Sequence, residues 1–316
     1  MSMKMKTGNK PRQHGKMPIL IGTAFVIPAL ALFSVFILYP LTTALSYSFF
    51  SWKGTLRGEF IGLENYVTVF TRAPFDEALP NAFSHNLLLF AGAMVFQNSI
   101  GLALAVVLHK IGRVKRLFQT MFTLPYLVSP LVVGYLWSLM LSPLFGPVNA
   151  TLKKIGLGEF ALPWLGDPTT AIWAIVFITA WQWIGFPMLL YGAALGGIPE
   201  EVTEAAEIDG ASGSKRFRLI TFPLLLPALG TVSILTFIGA MESFPIPYAV
   251  GGSTGAPAGA TDVMALLFYR TAFESGDVGS IGTSSALAML LFLFIFGVAV
   301  VLRTSLARAE RKLYDE

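Results

Sequence analysis

The chain has 316 residues, 54% of them hydrophobic and 13% charged, with a formal net charge of +4 and a mean hydropathy of +0.67. Soluble domains carry about 25% charged residues, so this composition excludes an ordinary soluble protein and describes an integral membrane protein. The absence of cysteine excludes disulfides, thiol nucleophiles and thiolate metal sites. The basic residues lie in short clusters between apolar runs, which leaves no basic surface for nucleic acid.

A bilayer core of about 30 Å needs about 20 apolar residues to cross it as a helix. Six stretches qualify, at 19–45, 86–108, 118–141, 170–194, 223–244 and 284–302. They predict an all-α integral membrane protein built as a six-transmembrane-helix bundle. Barrel strands are excluded because the runs are too long and lack period-two alternation. Pro28, Pro130, Pro187 and Pro227 fall inside these runs. Each removes a hydrogen bond and favours a bend, read here as static curvature.

Lys and Arg give the orientation. With a cytoplasmic N-terminus, 16 of them fall on the cytoplasmic side and 6 on the other, a positive-inside bias that places both termini in the cytoplasm. The inner set comprises Lys4, Lys6, Lys10, Arg12, Lys16, Lys110, Arg113, Lys115, Arg116, Lys215, Arg216, Arg218, Arg303, Arg308, Arg311 and Lys312. The apolar run after the basic start is longer than the 7–15 residues of a signal h-region, so the first span is expected to be uncleaved. The resulting division is a cytoplasmic tail over 1–18, a membrane domain over 19–303 and a second cytoplasmic tail over 304–316.

The polar segment 196–223 is unlike its surroundings. Pro199 suits a first helical turn, and Glu200 and Glu201 suit the positive end of its dipole. Gly210 can take the left-handed conformation that ends a helix, and Ser212 or Ser214 can cap a second short helix. Val202, Ala205, Ala206 and Asp209 share a face by three-and-four spacing. The two alanines make that face low in relief, suited either to solvent or to another protein.

Polar residues inside the spans mark a second candidate region. They are Gln97 and Asn98 in the second span, Trp181, Gln182 and Trp183 in the fourth, and Glu242 and Ser243 at the end of the fifth. Aromatic faces with hydrogen-bonding neighbours suit a sugar, whereas inter-helical hydrogen bonding is the structural alternative. No basic residue falls inside a span, which favours a neutral solute.

Glu204-Ala205-Ala206, Gly210, Ile220 and Pro223 keep the spacing of the EAA motif of ABC-importer permeases, with Phe222 where that motif has Leu. Phe60-Ile61-Gly62-Leu63-Glu64-Asn65-Tyr66 resembles a segment of sugar-type permeases. Gly251-Gly252-Ser253-Thr254-Gly255-Ala256-Pro257 with Tyr269-Arg270-Thr271-Ala272-Phe273 resembles the outer loop of the maltose/lactose and glycerol-phosphate permease group. That loop is also expected to be flexible. The likeness spans residues 20 to 303.

The resemblance implies a transmembrane permease subunit of an ABC importer in a bacterial or archaeal inner membrane. It would form half of the path for a sugar or oligosaccharide delivered by an extracytoplasmic solute-binding protein. Its expected partners are a second, homologous permease subunit in a heterodimer and two ATP-binding cassette ATPases, all in membrane lipid, with no nucleic acid. Glu204, Ala205, Ala206, Asp209, Gly210, Ile220 and Pro223 would make or shape the ATPase contact, and Gly210→Asp would uncouple transport from ATP hydrolysis. Asn98, Trp181, Gln182, Trp183, Glu242 and Ser243 are the candidate substrate path.

No G-x-x-x-x-G-K-[ST] loop occurs in the chain. ATP and Mg are therefore expected on the partner ATPases, with no cofactor on this chain. An ion-coupled secondary transporter would need buried ionisable residues in mid-span, and an enzyme would need a nucleophile–base or metal constellation. His14, His85 and His109 are scattered, so no metal site is expected and no catalytic residue is assigned. A permease of the same machinery for glycerol phosphate or a polyamine is the remaining alternative.

Overall fold

The computed structural model describes residues 17–112, 114–274, 276 and 280–315, with side chains omitted at 17–23 and 309–315. Residues 1–16 of the expected N-terminal tail and Arg113 lie outside the described residues, as do the side chains of Arg311 and Lys312.

The first span is continuous. α1 (Met17–Phe33) passes through a π-helical stretch at Ser34–Leu38 into α2 (Tyr39–Tyr47). Pro40 follows that stretch one residue later, after Tyr39. A proline ring intrudes on the preceding helical turn and lacks an N–H, and the wider π turn accommodates both effects. The span end turns into a two-stranded hairpin, β1 (Phe50–Lys53) and β2 (Leu56–Phe60), with Lys53 opposite Leu56 and Gly54 at φ +58°. This hairpin is a small local addition to an otherwise helical chain. Asn65 in α3 (Glu64–Thr71) donates to the Ser48 and Phe50 carbonyls at 2.8 and 3.0 Å, and Tyr66 bonds Ser48 at 2.8 Å. The Phe60–Tyr66 segment thus fixes the hairpin against the helix that follows.

The second span comprises α4 (Phe75–Gly92), a π stretch at Ala93–Asn98 and α5 (Ser99–Lys110). It starts 11 residues before the apolar run, because Asp76 and Glu77 occupy a first turn that lies before the apolar stretch. The third region is not one helix. α6 (Lys115–Leu127) and α7 (Pro130–Met140) meet at 93°. Pro130 cannot continue α6 and forces Ser129 to an extended ψ of 128°, so a sharp break replaces the static curvature expected there.

After α8 (Pro147–Lys154), α9 (Pro168–Trp183) begins at a capped end. The Asp167 carboxylate accepts from the Thr169 N–H and hydroxyl, both at 2.8 Å. The backbone bond foremost, then the hydroxyl, holds this carboxyl below its ordinary range. A depressed carboxyl stabilises the fold above its unfolded pKa, and the contribution is lost as pH falls through the lowered folded value. Amide exchange at Thr169 is expected to stay slow until pH drops below the ordinary aspartate range, and Asp167→Ala to speed it at neutral pH but not below that range.

α9 and α10 (Gly185–Gly196) form the fourth region and meet at 43°. The loop helices α11 (Glu200–Ile208) and α12 (Gly213–Arg216) lead through a π stretch at Phe217–Thr221 into α13 (Phe222–Met241), again with a proline, Pro223, just after it. α14 (Pro245–Gly251) and α15 (Met264–Phe273) precede α16 (Ser280–Asp315). α16 runs without interruption to Asp315, so residues 304–315 are helical. Among the described residues, four helices are long and apolar enough to cross a membrane, and counting each bent pair as one span brings the number to six.

Ile175, Ile178, Met241, Val263 and Leu266 are fully enclosed in the main core, which joins α9, α13 and α15. Large apolar side chains such as Phe25, Phe36 and Phe177 lie exposed on the outside, as a lipid-facing surface requires. Close helix approach is made by glycine. A Cβ on Gly92 would stand 2.3 Å from Val176, and one on Gly101 would stand 2.8 Å from Pro187. Small residues at such crossings allow packing where lipid provides no hydrophobic drive.

Candidate functional site

The 196–223 segment folds as helix, glycine break, helix. Pro199 stands at the N-cap of α11, one position before the first turn, with Glu200 and Glu201 inside that turn. Gly210 has φ +74°. The Ala211 N–H returns to the Ala206 carbonyl at 2.8 Å and the Gly210 N–H to the Glu207 carbonyl at 3.1 Å, which is the paired bonding of a Schellman ending. Ala206 and Ala211, the two side chains that this motif brings together, are both buried. Ser212 holds the N-cap position of α12 without a side-chain cap bond. The Arg216 guanidinium pairs with the Glu207 carboxylate at 2.5 Å, joining the two helices across the break.

The expected common face therefore divides. Ala206 turns inward, while Val202, Glu204, Ala205, Asp209 and Gly210 stay exposed. Beside them Ile208 is 86% exposed, a position the spacing argument missed because it ends the helix. Ile220 and Pro223 are half-buried at the start of the fifth span.

The polar span residues separate into two groups. Trp183, Glu242 and Ser243 line a cavity of about 390 Å³ together with Gln97, Thr179, Phe186 and Thr236. Trp183 stands edge-on to Tyr126, centroids 5.0 Å apart. Glu242 is exposed at the C-cap of α13. No lysine or arginine is among the residues that line this cavity.

The other three candidates lie elsewhere. Asn98 is buried and donates to the Thr236 hydroxyl at 3.1 Å, an inter-helical bond between the second and fifth spans. Its neighbour Gln97 faces the cavity instead. Gln182 is fully buried and donates to the Val128 carbonyl at 2.9 Å, so it braces the broken third region. Trp181 packs edge-on to Trp137 at 5.5 Å and lines an apolar groove with Trp173 and Phe177 on the outer face of the bundle. Adjacent residues on a helix point about 100° apart, which separates the Trp-Gln-Trp triplet into these three environments.

Sequence reasoning also passed over Asn86. It is fully buried and donates to the Ala240 carbonyl at 2.7 Å while accepting from the Met264 N–H at 2.9 Å. It closes the end of α13 onto the start of α15 beside the cavity. Its polarity inside an apolar run was the available signal. The glycine-rich loop, expected to be flexible, is tied down. Asp262 is buried and takes a two-pronged contact from Arg270 at 2.7 and 2.5 Å, and Arg270 also donates to the Ser253 carbonyl at 3.1 Å. Gly255 lies against this knot, with room for a Cβ closed off by Asp262 at 2.7 Å.

A family model described as binding-protein-dependent transport system inner membrane component matches residues 97–311. The chain belongs to that family. It is a membrane-spanning component of a transport system that works with a solute-binding protein. The match takes in α9 to α13, the whole helix–glycine–helix loop and most of the cavity lining.

Among relatives of this transport component, the lactose transport system permease protein LacF of Rhizobium radiobacter is 35% identical, over 80% of this chain and 83% of the relative. The multiple sugar-binding transport system permease protein MsmF of Streptococcus mutans is 30% identical, over 91% and 95%. The sn-glycerol-3-phosphate transport system permease protein UgpA of Yersinia pseudotuberculosis is 31% identical, over 87% and 90%. A chain of a bacterial ABC transporter that imports the acidic polysaccharide alginate shares the fold. It has a TM-score of 0.75 at 21% identity, covering 93% of this chain and 97% of that one.

Proposed function

We propose that this transport component forms one half of the translocation path of an ATP-driven importer for a neutral sugar or oligosaccharide. The observation that carries the substrate class is the cavity beside α13. It offers the rings of Trp183 and Phe186 with the hydroxyls and amide of Thr236, Ser243 and Gln97, and no cationic side chain. Aromatic faces and neutral hydrogen-bonding groups suit a sugar, and a phosphorylated solute would lack a counter-charge there. Relatives named for lactose and multiple-sugar transport support the same class. The Glu242 carboxylate at the cavity edge favours a second reading, a cationic solute such as a polyamine.

In this reading the exposed surface of Val202, Glu204, Ala205 and Ile208 docks on an ATPase subunit. Two such ATPases bind ATP and Mg, and this chain carries out no catalysis itself. The partner in the path is a second, homologous permease. Both termini and the 196–223 loop lie in the cytoplasm, with the binding protein on the opposite side of the inner membrane.

The test is ATP hydrolysis by the complex in lipid, co-expressed with its neighbouring subunits, with and without binding protein and a panel of sugars, glycerol phosphate and polyamines. Stimulation by a sugar-loaded binding protein is expected, with Trp183→Ala raising the solute concentration needed for half-maximal uptake by roughly tenfold, about 1.4 kcal/mol. Stimulation by a polyamine, lost in Glu242→Gln, would replace the sugar reading with the second one.

A further inference from the structure

The cleft behind the loop differs in character from the cavity beside α13. It has a volume of about 570 Å³ and lies between the end of α5, the end of α10, the start of α11 and the α12 turn. Its lining combines ionisable side chains, His109, Lys110, Glu200 and Arg216, with apolar ones, Val106, Leu195, Ile198, Phe217 and Ile220. Arg216 is shared with Glu207. No ion pair holds Lys110, His109 or Glu200 among the described residues.

We infer that this cleft is a binding site for the head group of an aminophospholipid. A soluble ion would leave the apolar part of the lining uncovered, and an acyl chain would leave His109, Lys110 and Glu200 unmatched. An amphiphile matches both kinds of lining. A simple anionic head group would satisfy Lys110 but place its charge against Glu200. A head group with both a phosphate and a protonated amine supplies an acceptor for Lys110 and Arg216 and a donor for Glu200 and the Thr203 hydroxyl. Choline lipids carry the phosphate but no N–H to donate. Basic pockets between helices at the membrane surface commonly hold lipid phosphates, and this one lies where α5 leaves the apolar zone at Lys110. The site spans the last turn of α5 and both helices of the loop, so a lipid seated there would stiffen the loop against the bundle. Its assignment to the cytoplasmic leaflet rests on the orientation proposed above; the lipid chemistry does not.

The test is lipid retention on the detergent-purified full complex, read by native mass spectrometry after exposure to equimolar phosphatidylethanolamine, phosphatidylcholine and phosphatidylglycerol. Phosphatidylethanolamine is expected to be retained over phosphatidylcholine by roughly five- to tenfold, the worth of one hydrogen bond from the protonated amine to the Glu200 carboxylate. Glu200→Gln is expected to remove the preference over phosphatidylglycerol, and Lys110→Gln to lower retention of all three. Arg218→Gln, on the same loop but not in the cleft lining, should change nothing. Equal retention of ethanolamine and choline lipids, or no response to either cleft variant, overturns the inference. Stronger retention of phosphatidylglycerol would make it a plain anion site, and displacement of the lipid by millimolar inorganic phosphate would make it a soluble-ion site. Either outcome overturns the aminophospholipid. Retention is read without ATP or solute, so failure of sugar-stimulated hydrolysis would sink the functional reading and leave this one standing.

Discussion

Gly210→Val is expected to lower ATP-driven uptake by roughly tenfold while leaving the chain folded and inserted. At φ +74° the position is left-handed, and nothing lies within 4 Å of an added Cβ, so the penalty is one of backbone conformation and not of collision. For a residue with a side chain that penalty is about 1–2 kcal/mol, and a β-branched residue is among the worst placed to bear it. The least costly escape is to leave the left-handed region. That would break the Ala211–Ala206 and Gly210–Glu207 bonds and turn α12 away from α11.

The exposed surface of α11 would then no longer share a fixed angle with the fifth span. A loss of 1–2 kcal/mol shifts a two-state arrangement by roughly a factor of ten. Gly210→Asp, for which an aspartate tolerates the left-handed region better, is expected to be milder in backbone cost and to add a charge at the proposed docking surface. Uptake in proteoliposomes, with ATP hydrolysis measured in parallel, reads the effect. Hydrolysis retained with uptake lost is the uncoupled result; normal uptake in Gly210→Val would show that the angle is not needed.

Gln182→Leu is expected to destabilise the chain by about 0.5–1.5 kcal/mol, the net worth of a part-buried hydrogen bond. The Val128 carbonyl stands in the 93° break between α6 and α7, and the Gln182 amide reaches it from α9 at 2.9 Å. Gln182→Glu keeps the shape and loses the donor, so it should be destabilising too. Thermal unfolding in detergent measures this directly. The half-saturating solute concentration of whatever protein survives should be unchanged. A variant of normal stability with weakened solute affinity would restore Gln182 to the substrate path.

These two residues also mark where the amino-acid sequence was legible. The six spans could be read because lipid demands long apolar helices, and hydropathy detects that demand directly. The loop could be read because Pro199, the paired glutamates and Gly210 act through local backbone chemistry, which needs no knowledge of neighbours. The break at 128–129 was hidden because both halves are apolar, so the hydropathy profile runs through it. Pro130 gave the position of the bend but not its size.

Side-chain direction was least accessible. Gln97 faces the cavity and Asn98 the helix interface, yet both lie in a π stretch. Such a stretch shifts the helical phase by an amount that residue spacing does not reveal. The hairpin at 50–60 carried a readable signal in Lys53-Gly54-Thr55, a glycine able to supply positive φ in a two-residue turn. It was overlooked because the surrounding composition favoured helix. Asp262 and Arg270 are eight residues apart in the chain, and their pairing depends on how α15 returns the chain to the glycine loop, which is tertiary information.

The chain has no cysteine, so a single introduced one reports a unique position. The most direct test of the account is Ile208→Cys in the complex assembled with its neighbouring subunits, treated with a short bifunctional thiol reagent. The account predicts a cross-link to an ATPase subunit that changes in yield with ATP, and none from a matched cysteine at Glu159 in the loop on the other side of the membrane. A thiol at 208 that reacts only from the side of the binding protein, or that never cross-links to an ATPase, would contradict it.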